Sequence, residues 1–215
     1  MTIEPMPSKI LCVGKNYLDH AREMGSEPPE EPLVFLKAPS ALLLDGAPIV
    51  IPEGVGRVDF EGEIAFQVGR KARFVPESEA LSVLSHVFPL NDVTARDLQR
   101  KDSQWARAKG FDTFCPVGRP IPLKDLSKGV DGLKVETRVN GELRQEGAMK
   151  QFIFSLPFLI SWLTRVMTLQ PGDILATGTP AGVGPLAPGD EVEVTIPGVG
   201  SIRNPVVAES RPDGR

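Results

Sequence analysis

Two cysteines, two histidines and one tyrosine in 215 residues exclude several chemistries at once. Cys12 and Cys115 cannot make a disulfide framework, so the expected compartment is a reducing cytoplasm. Thiolate and imidazole are too scarce to build a zinc or iron–sulfur site, and any metal must be held mostly by oxygen. Positive charge is not in excess either. The 24 basic and 28 acidic side chains leave a formal charge of −4, which offers a phosphate backbone no cationic field, and nucleic acid is not an expected partner. No long apolar run is present: Phe152 to Leu163 is broken by Ser155, Pro157 and Ser161 and falls short of a bilayer core of about 30 Å. No membrane association is expected, and Met1 to Ser8 lacks the basic-then-apolar order of a secretory leader.

What the chain does hold is 41% hydrophobic residues, with 21 glycines and 21 prolines that punctuate the apolar segments instead of forming low-complexity tracts. One domain over residues 9–208 is expected, with short tails at 1–8 and 209–215. Lys9 to Val13, Leu33 to Lys37, Ile49 to Ile51 and Phe60 to Val68 read as strands. Asn16 is placed to cap a helix from Tyr17 to Met24. Ser26 to Pro32, with three prolines and three glutamates, reads as an extended and exposed connection able to act as a lid. Glu77 to His86 predicts a helix, as does a capping-box-like start at Thr94 and Asp97 running towards Arg100. Asn140-Gly141, between Leu133–Val139 and Glu142–Gln145, predicts a hairpin with a type I′ turn. Ser155 caps a helix reaching about Met167, and two matching turns, Leu169 to Asp173 and Leu186 to Asp190, each lead into a β-prone run. The class is α+β, strand-rich with a few short helices.

Glu61-Gly62-Glu63 is the most informative stretch, because a strand sends residues two apart to one face, with Cα atoms about 6 to 7 Å apart. The pair alone also suits a solvated strand face. A third acid, Asp92, stands at the end of the apolar run Val87–Leu90, and strand ends are good ligand positions. Three carboxylates brought together would repel by about 1 to 4 kcal/mol per close pair, so such a cluster calls for a cation. All-oxygen ligation points to Mg²⁺ or Mn²⁺ with positions left open for water or substrate.

Five stretches, taken in order, carry a resemblance. They are Cys12 to His20, Phe35 to Lys37, Asp59 to Glu63, Asn91 to Asp97 and Gly178 to Gly184. Together they resemble the fumarylacetoacetate hydrolase family over residues 9–208. Val139 to Gly147 and the Phe152–Met167 segment are similar to its small acylpyruvate hydrolases and oxaloacetate decarboxylases. The resemblance implies a mixed β-sandwich-like roll, usually a homodimer, with Glu61, Glu63 and Asp92 as ligands of Mg²⁺ or Mn²⁺. It also implies that Arg96, Gln99, Lys109 and Thr179 line the substrate pocket, and that His20 and Glu23 form a dyad on a lid. His20 and Glu23 are three residues apart, as are Arg96 and Gln99, and that spacing places each pair on one helix face. His86 is given no function, while Asp97 reads as a cap and the two cysteines as packed thiols.

The implied activity is hydrolysis of a carbon–carbon bond in an acylpyruvate such as acetylpyruvate or fumarylpyruvate. Arg96, Gln99 and Thr179 would orient this small 2-oxo acid, His20 with Glu23 would deprotonate a water, and Lys109 would favour the oxyanion. Oxaloacetate could lose carbon dioxide through the same enolate without any attacking water. Two alternatives stand beside this expectation: isomerisation or tautomerisation of a related oxo acid, and noncatalytic metabolite binding.

Overall fold

Period-two alternation decides which side of each sheet a side chain joins, and in the computed structural model it divides the interior into separate cores. Residues 5–19, 27–127 and 129–210 are described. The chain runs through β1 (Ile10–Gly14), β2 (Leu33–Lys37), β3 (Leu42–Leu44), β4 (Ile49–Ile51), β5 (Val58–Phe60) and β6 (Gly62–Val68). After β7 (Leu84–Asn91) and β8 (Thr94–Ala95) come helix α1 (Arg96–Lys101) and the single turn α2 (Ala106–Lys109). Then follow β9 (Cys115–Val117), β10 (Ile121–Pro122), β11 (Lys134–Val139), β12 (Glu142–Ala148) and helix α3 (Leu156–Val166). The last strands are β13 (Ile174–Ala176), β14 (Gly184–Pro185), β15 (Glu191–Ile196) and β16 (Gly200–Ala208).

An eight-stranded mixed sheet has the order β2-β1-β13-β6-β7-β9-β3, with β10 on the side of β7, and is joined by a five-stranded sheet, β12-β11-β15-β16-β4, and a small one, β14-β5-β8. Ile64, Phe66 and Val68 of β6 enter a core shared with Val135, Val194 and Ile202 of the five-stranded sheet and with Leu159 and Leu163 of α3. Ala65, on the opposite face, joins Cys12, Phe88, Leu90, Ile174 and Ala176 in a second core that the curled eight-stranded sheet encloses. The strand-rich, curled architecture agrees with the expected class.

Several local expectations hold with their physical cause visible. Asn140 and Gly141 have φ of 52° and 82°, the left-handed pair that a type I′ turn requires, and Val139 faces Glu142 across the hairpin. Ser155 Oγ accepts from Phe158 N at 3.3 Å and so caps α3. The two matching turns are built alike: Asp173 N donates to Gln170 O and Asp190 N to Ala187 O, and each aspartate carboxylate accepts the reciprocal backbone N–H. Gly172 and Gly189, at φ of 91° and 98°, occupy the position of each turn that only glycine takes without strain.

Other expectations are corrected. The segment read as a helix from Glu77 to His86 is 3₁₀ from Glu77 to Val83, and its last residues open β7, where eight residues gain a ladder against β6. Phe60 to Val68 is not one strand. β5 pairs within the small sheet and β6 within the large one, leaving Glu61 as the corner between them. Buried Asn16 donates to Thr177 O at 3.0 Å and accepts from Phe154 N at 2.9 Å, pinning the end of β1 to two distant loops. Of its expected helix, Leu18 and Asp19 are helical, Tyr17 bridges to Phe152, and His20 to Met24 lie outside the described residues. Thr94 caps nothing. Its hydroxyl donates to Asp92 O at 2.8 Å, α1 begins at Arg96 without a side-chain cap, and Asp97 accepts instead from Arg57 N. Glu27 to Glu31 has no regular structure and is largely exposed.

Candidate metal centre

The corner at Glu61 builds the site. Gly62 pairs with Asn91 in the β6–β7 ladder, so Asp92, the next residue, falls opposite Glu61. Asp92 N donates to Glu61 O at 2.8 Å, and Glu61 N donates to Asn91 Oδ1 at 2.9 Å. These bonds replace the ladder that the break between β5 and β6 interrupts. Glu63 shares its face of β6 with Ala65 and so turns towards the second core. Glu61, Glu63 and Asp92 each offer an oxygen within 4.8 Å of the others, and all three side chains are buried. Gly62 allows this on the far side: a Cβ there would stand 1.9 Å from Thr137 Oγ1 of β11, so glycine is what lets the two sheets close.

Burial foremost, then the Asp92 and Glu61 carboxylates, push the Glu63 carboxyl well above the usual range, against the Gly178 N–H that donates to Glu63 Oε2 at 2.8 Å. Positive charge crowds the remaining oxygens. Lys109 Nζ lies 2.9 Å from Glu61 Oε2 and 2.6 Å from Asp92 Oδ2, and Lys37 Nζ lies 2.7 Å from Asp92 Oδ1. Burial works to lower the Lys109 pKa, but Asp92 and Glu61 outweigh it and hold the ammonium charged. Arg96 reaches Glu61 Oε1 at 2.6 Å, Asp59 Oδ2 at 2.9 Å and Gln99 Oε1 at 2.9 Å, while its Nη2 is buried without a hydrogen-bond partner. The cysteines behind the site are inert packing. Burial above all raises the Cys12 thiol far beyond its usual range and pushes Cys115 up to about 12.

A cavity of about 190 Å³ opens onto the triad, and Arg96, Gln99, Lys109 and Thr179 line it with Phe35 and Trp105. Seven of the nine residues singled out from sequence therefore meet in one place; His20 and Glu23 lie outside the described residues. Thr179 lines the cavity as expected and is itself held in place there. Its hydroxyl proton goes to Gly62 O at 2.9 Å and its oxygen accepts from Gln145 Nε2 at 2.7 Å, so it ties the glycine-rich loop to the corner. Three participants had no assigned role in the sequence reading. Lys37 is a lysine at an inward position of β2, facing Ile10 of β1; Asp59 orients Arg96; Gln145 bridges Gly62 N and Thr179. The sequence signals for Lys37 are its place in the Phe35–Lys37 stretch of the resemblance and its position two residues after Phe35, on the same face of an apolar strand.

The donor set suits a hard divalent cation, because three buried carboxylate oxygens converge and one carboxyl is destabilised as an anion by burial and then by the other two. Glu61, Glu63 and Asp92 would hold the ion, which when bound supplies Lewis acidity to an oxygen beside it.

Known proteins share the sequence pattern and the fold that carry this site. The chain is 44% identical over 216 residues to the oxaloacetate tautomerase YisK of Bacillus subtilis, covering 94% of this chain and 71% of that one. A 5-carboxymethyl-2-hydroxymuconate delta-isomerase from Mycobacterium smegmatis superposes with a TM-score of 0.87 at 44% identity, covering 96% of this chain and 81% of that one. A fumarylpyruvate hydrolase from Pseudomonas aeruginosa, solved in complex with Mn²⁺ and pyruvate, superposes with a TM-score of 0.89 at 32% identity, covering 94% and 91%. Residues 9–207 match the fumarylacetoacetate (FAA) hydrolase C-terminal family profile, and the chain belongs to the fumarylacetoacetate hydrolase family.

Proposed function

We propose that this protein is an enzyme dependent on Mg²⁺ or Mn²⁺ that enolises a small 2-oxo acid, interconverting its keto and enol forms. The observation that carries the reading is the convergence of the carboxylate triad with Arg96, Gln99 and Lys109 in one cavity of about 190 Å³, a size suited to a compact acid. The kinship to an oxaloacetate tautomerase and an isomerase, each at 44% identity, supports enolisation over hydrolysis, which the hydrolase neighbour represents at 32%. In the reaction a proton leaves C3, the electron pair forms the C2–C3 double bond, and the carbonyl oxygen takes a proton; nothing else is gained or lost. Arg96 and Gln99 hold the carboxylate, and the remaining N–H of the Lys109 ammonium steadies the developing oxyanion. His20, assisted by Glu23, moves the proton at C3. Mg²⁺ or Mn²⁺ supplies Lewis acidity when bound.

A second reading, cleavage of an acylpyruvate to pyruvate and a carboxylic acid, is favoured by the neighbour that holds Mn²⁺ and pyruvate. It uses the same residues with His20 acting on a water, and loss of carbon dioxide from oxaloacetate passes through the same enolate. The homodimer and a reducing cytoplasm remain part of the proposal, and light scattering of the purified chain reads the first. Among the described residues no helix is long and apolar enough to cross a membrane.

The experiment offers oxaloacetate and acetylpyruvate with Mg²⁺ and with Mn²⁺, following enol absorbance and pyruvate separately. Faster keto–enol equilibration without matching pyruvate release is the expected result. Pyruvate formed from acetylpyruvate at the dominant rate would transfer the assignment to hydrolysis, and no acceleration with either ion would remove both. Replacing His20 with Ala should slow enolisation about a hundredfold or more while leaving decarboxylation, which needs no base, less affected.

A further inference from the structure

The cavity carries more positive charge than its metal ligands require, and this surplus deepens the reading above, on which it rests. Four cationic side chains, Lys15, Arg96, Arg100 and Lys109, line the walls against the three carboxylates. With a divalent ion on the triad the lining would carry a surplus of three positive charges, more than a single carboxylate neutralises. Lys37 and Asp59, just behind the walls, cancel one another and leave the surplus unchanged.

The donors also come from different elements of the fold. Arg96 Nη2 is buried without a partner beside Gln99, whose Oε1 is already occupied by Arg96. Lys15 comes from the turn leaving β1, with its backbone at φ 57°, in the left-handed region that favours glycine. The other lysines around the centre are paired: Lys37 with Asp92, and Lys109 with Glu61 and Asp92. Among the described residues no carboxylate pairs with Lys15, although the residue lines the cavity and is only half-exposed. Arg100 is largely exposed and already leans towards Asp97 at 3.6 Å. A lysine that lines this cavity with no carboxylate partner among the described residues is a feature that a bound carboxylate would explain.

We propose that Lys15 binds the second carboxylate of a dicarboxylic 2-oxo acid whose first carboxylate is held by Arg96 and Gln99. Lys15 is thus the residue that selects diacids over acids with a neutral tail. The test uses the full chain saturated with Mg²⁺ and compares oxaloacetate, with two carboxylates, against acetylpyruvate, with one. Lys15→Met removes the charge; Lys15→Gly removes it while relaxing the left-handed backbone, so misfolding cannot stand in for the effect; Lys15→Arg restores it. Both neutral variants should raise KM for oxaloacetate about tenfold or more, as loss of a charge-assisted contact predicts. The preference for oxaloacetate over acetylpyruvate in kcat/KM should fall by the same factor, with Lys15→Arg recovering most of it. An unchanged preference, or an equal loss for both acids, overturns the assignment of Lys15 and leaves the proposed function standing. If the unaltered chain acts on neither acid, the proposed function falls and the diacid reading falls with it.

Discussion

The two faces of β6 do opposite work. One sends Ile64, Phe66 and Val68 into the core between the sheets; the other places Glu63 beside Ala65, where the second core gives way to buried charge. The first face gains free energy from burial alone. The second holds three carboxylates, Lys37, Lys109 and Arg96 in an enclosure where any lost partner leaves a buried ion unpaired. A strand can be stabilising on one side and functional on the other because its side chains alternate, and the cost of the functional side is offset by what lies directly behind it.

This comparison can be broken most forcefully at Glu63. Glu63→Gln should lower metal-dependent turnover by about a thousandfold or more, measured at saturating Mg²⁺. The same change should leave the metal-free fold as stable or more stable in thermal unfolding, because it deletes a carboxyl that the fold disfavours as an anion. The sign follows from the raised Glu63 pKa: its favourable contribution is complete below the ordinary glutamate value and is lost as pH rises through the folded value. Metal-free protein should therefore lose stability as pH climbs above the ordinary carboxylate range, and saturating Mg²⁺ should reverse the loss. Melting curves that do not differ with and without Mg²⁺ across that range would contradict the account.

Phe66→Ala attacks the other face. It should cost about 3–5 kcal/mol in denaturant unfolding, while the folded fraction keeps its affinity for Mn²⁺. Lys37→Met, between these two behaviours, removes a neutral-making partner of Asp92 without touching the ligands. Metal affinity should fall about 10- to 100-fold by calorimetry, the usual range for a group that orients a ligand. The smallest effect is expected at Lys15→Gly, where relief of the left-handed backbone should raise stability by about 0.5–1 kcal/mol in the same unfolding assay. A loss there would mean that the lysine side chain is itself a structural contact.

Much of this was readable in order along the chain, and the reason differs from residue to residue. The Asn140-Gly141 turn, the Ser155 cap and the paired Pro-Gly-Asp turns are local, so their chemistry is complete within four or five residues. Glu61 and Glu63 were legible as a pair by spacing, although the strand thought to carry them is broken at Glu61. The helix expected through His86 failed because the ladder between β6 and β7 is a long-range reward that no window of sequence contains. Thr94 misled for another reason, since a small polar residue before a helix pattern also bonds to backbone groups outside the helix.

Sequence alone limited any metal to oxygen ligands, because so little cysteine and histidine is available, and the family resemblance implied that Asp92 belongs with the Glu-Gly-Glu pair. Only the tertiary structure decided that Lys37, Asp59 and Gln145 stand behind those residues, and that Thr179 spends its proton on Gly62. The physical reason is sequence separation: ligand type is a property of each side chain, whereas the partner that neutralises or orients it arrives from another strand through sheet register and curl.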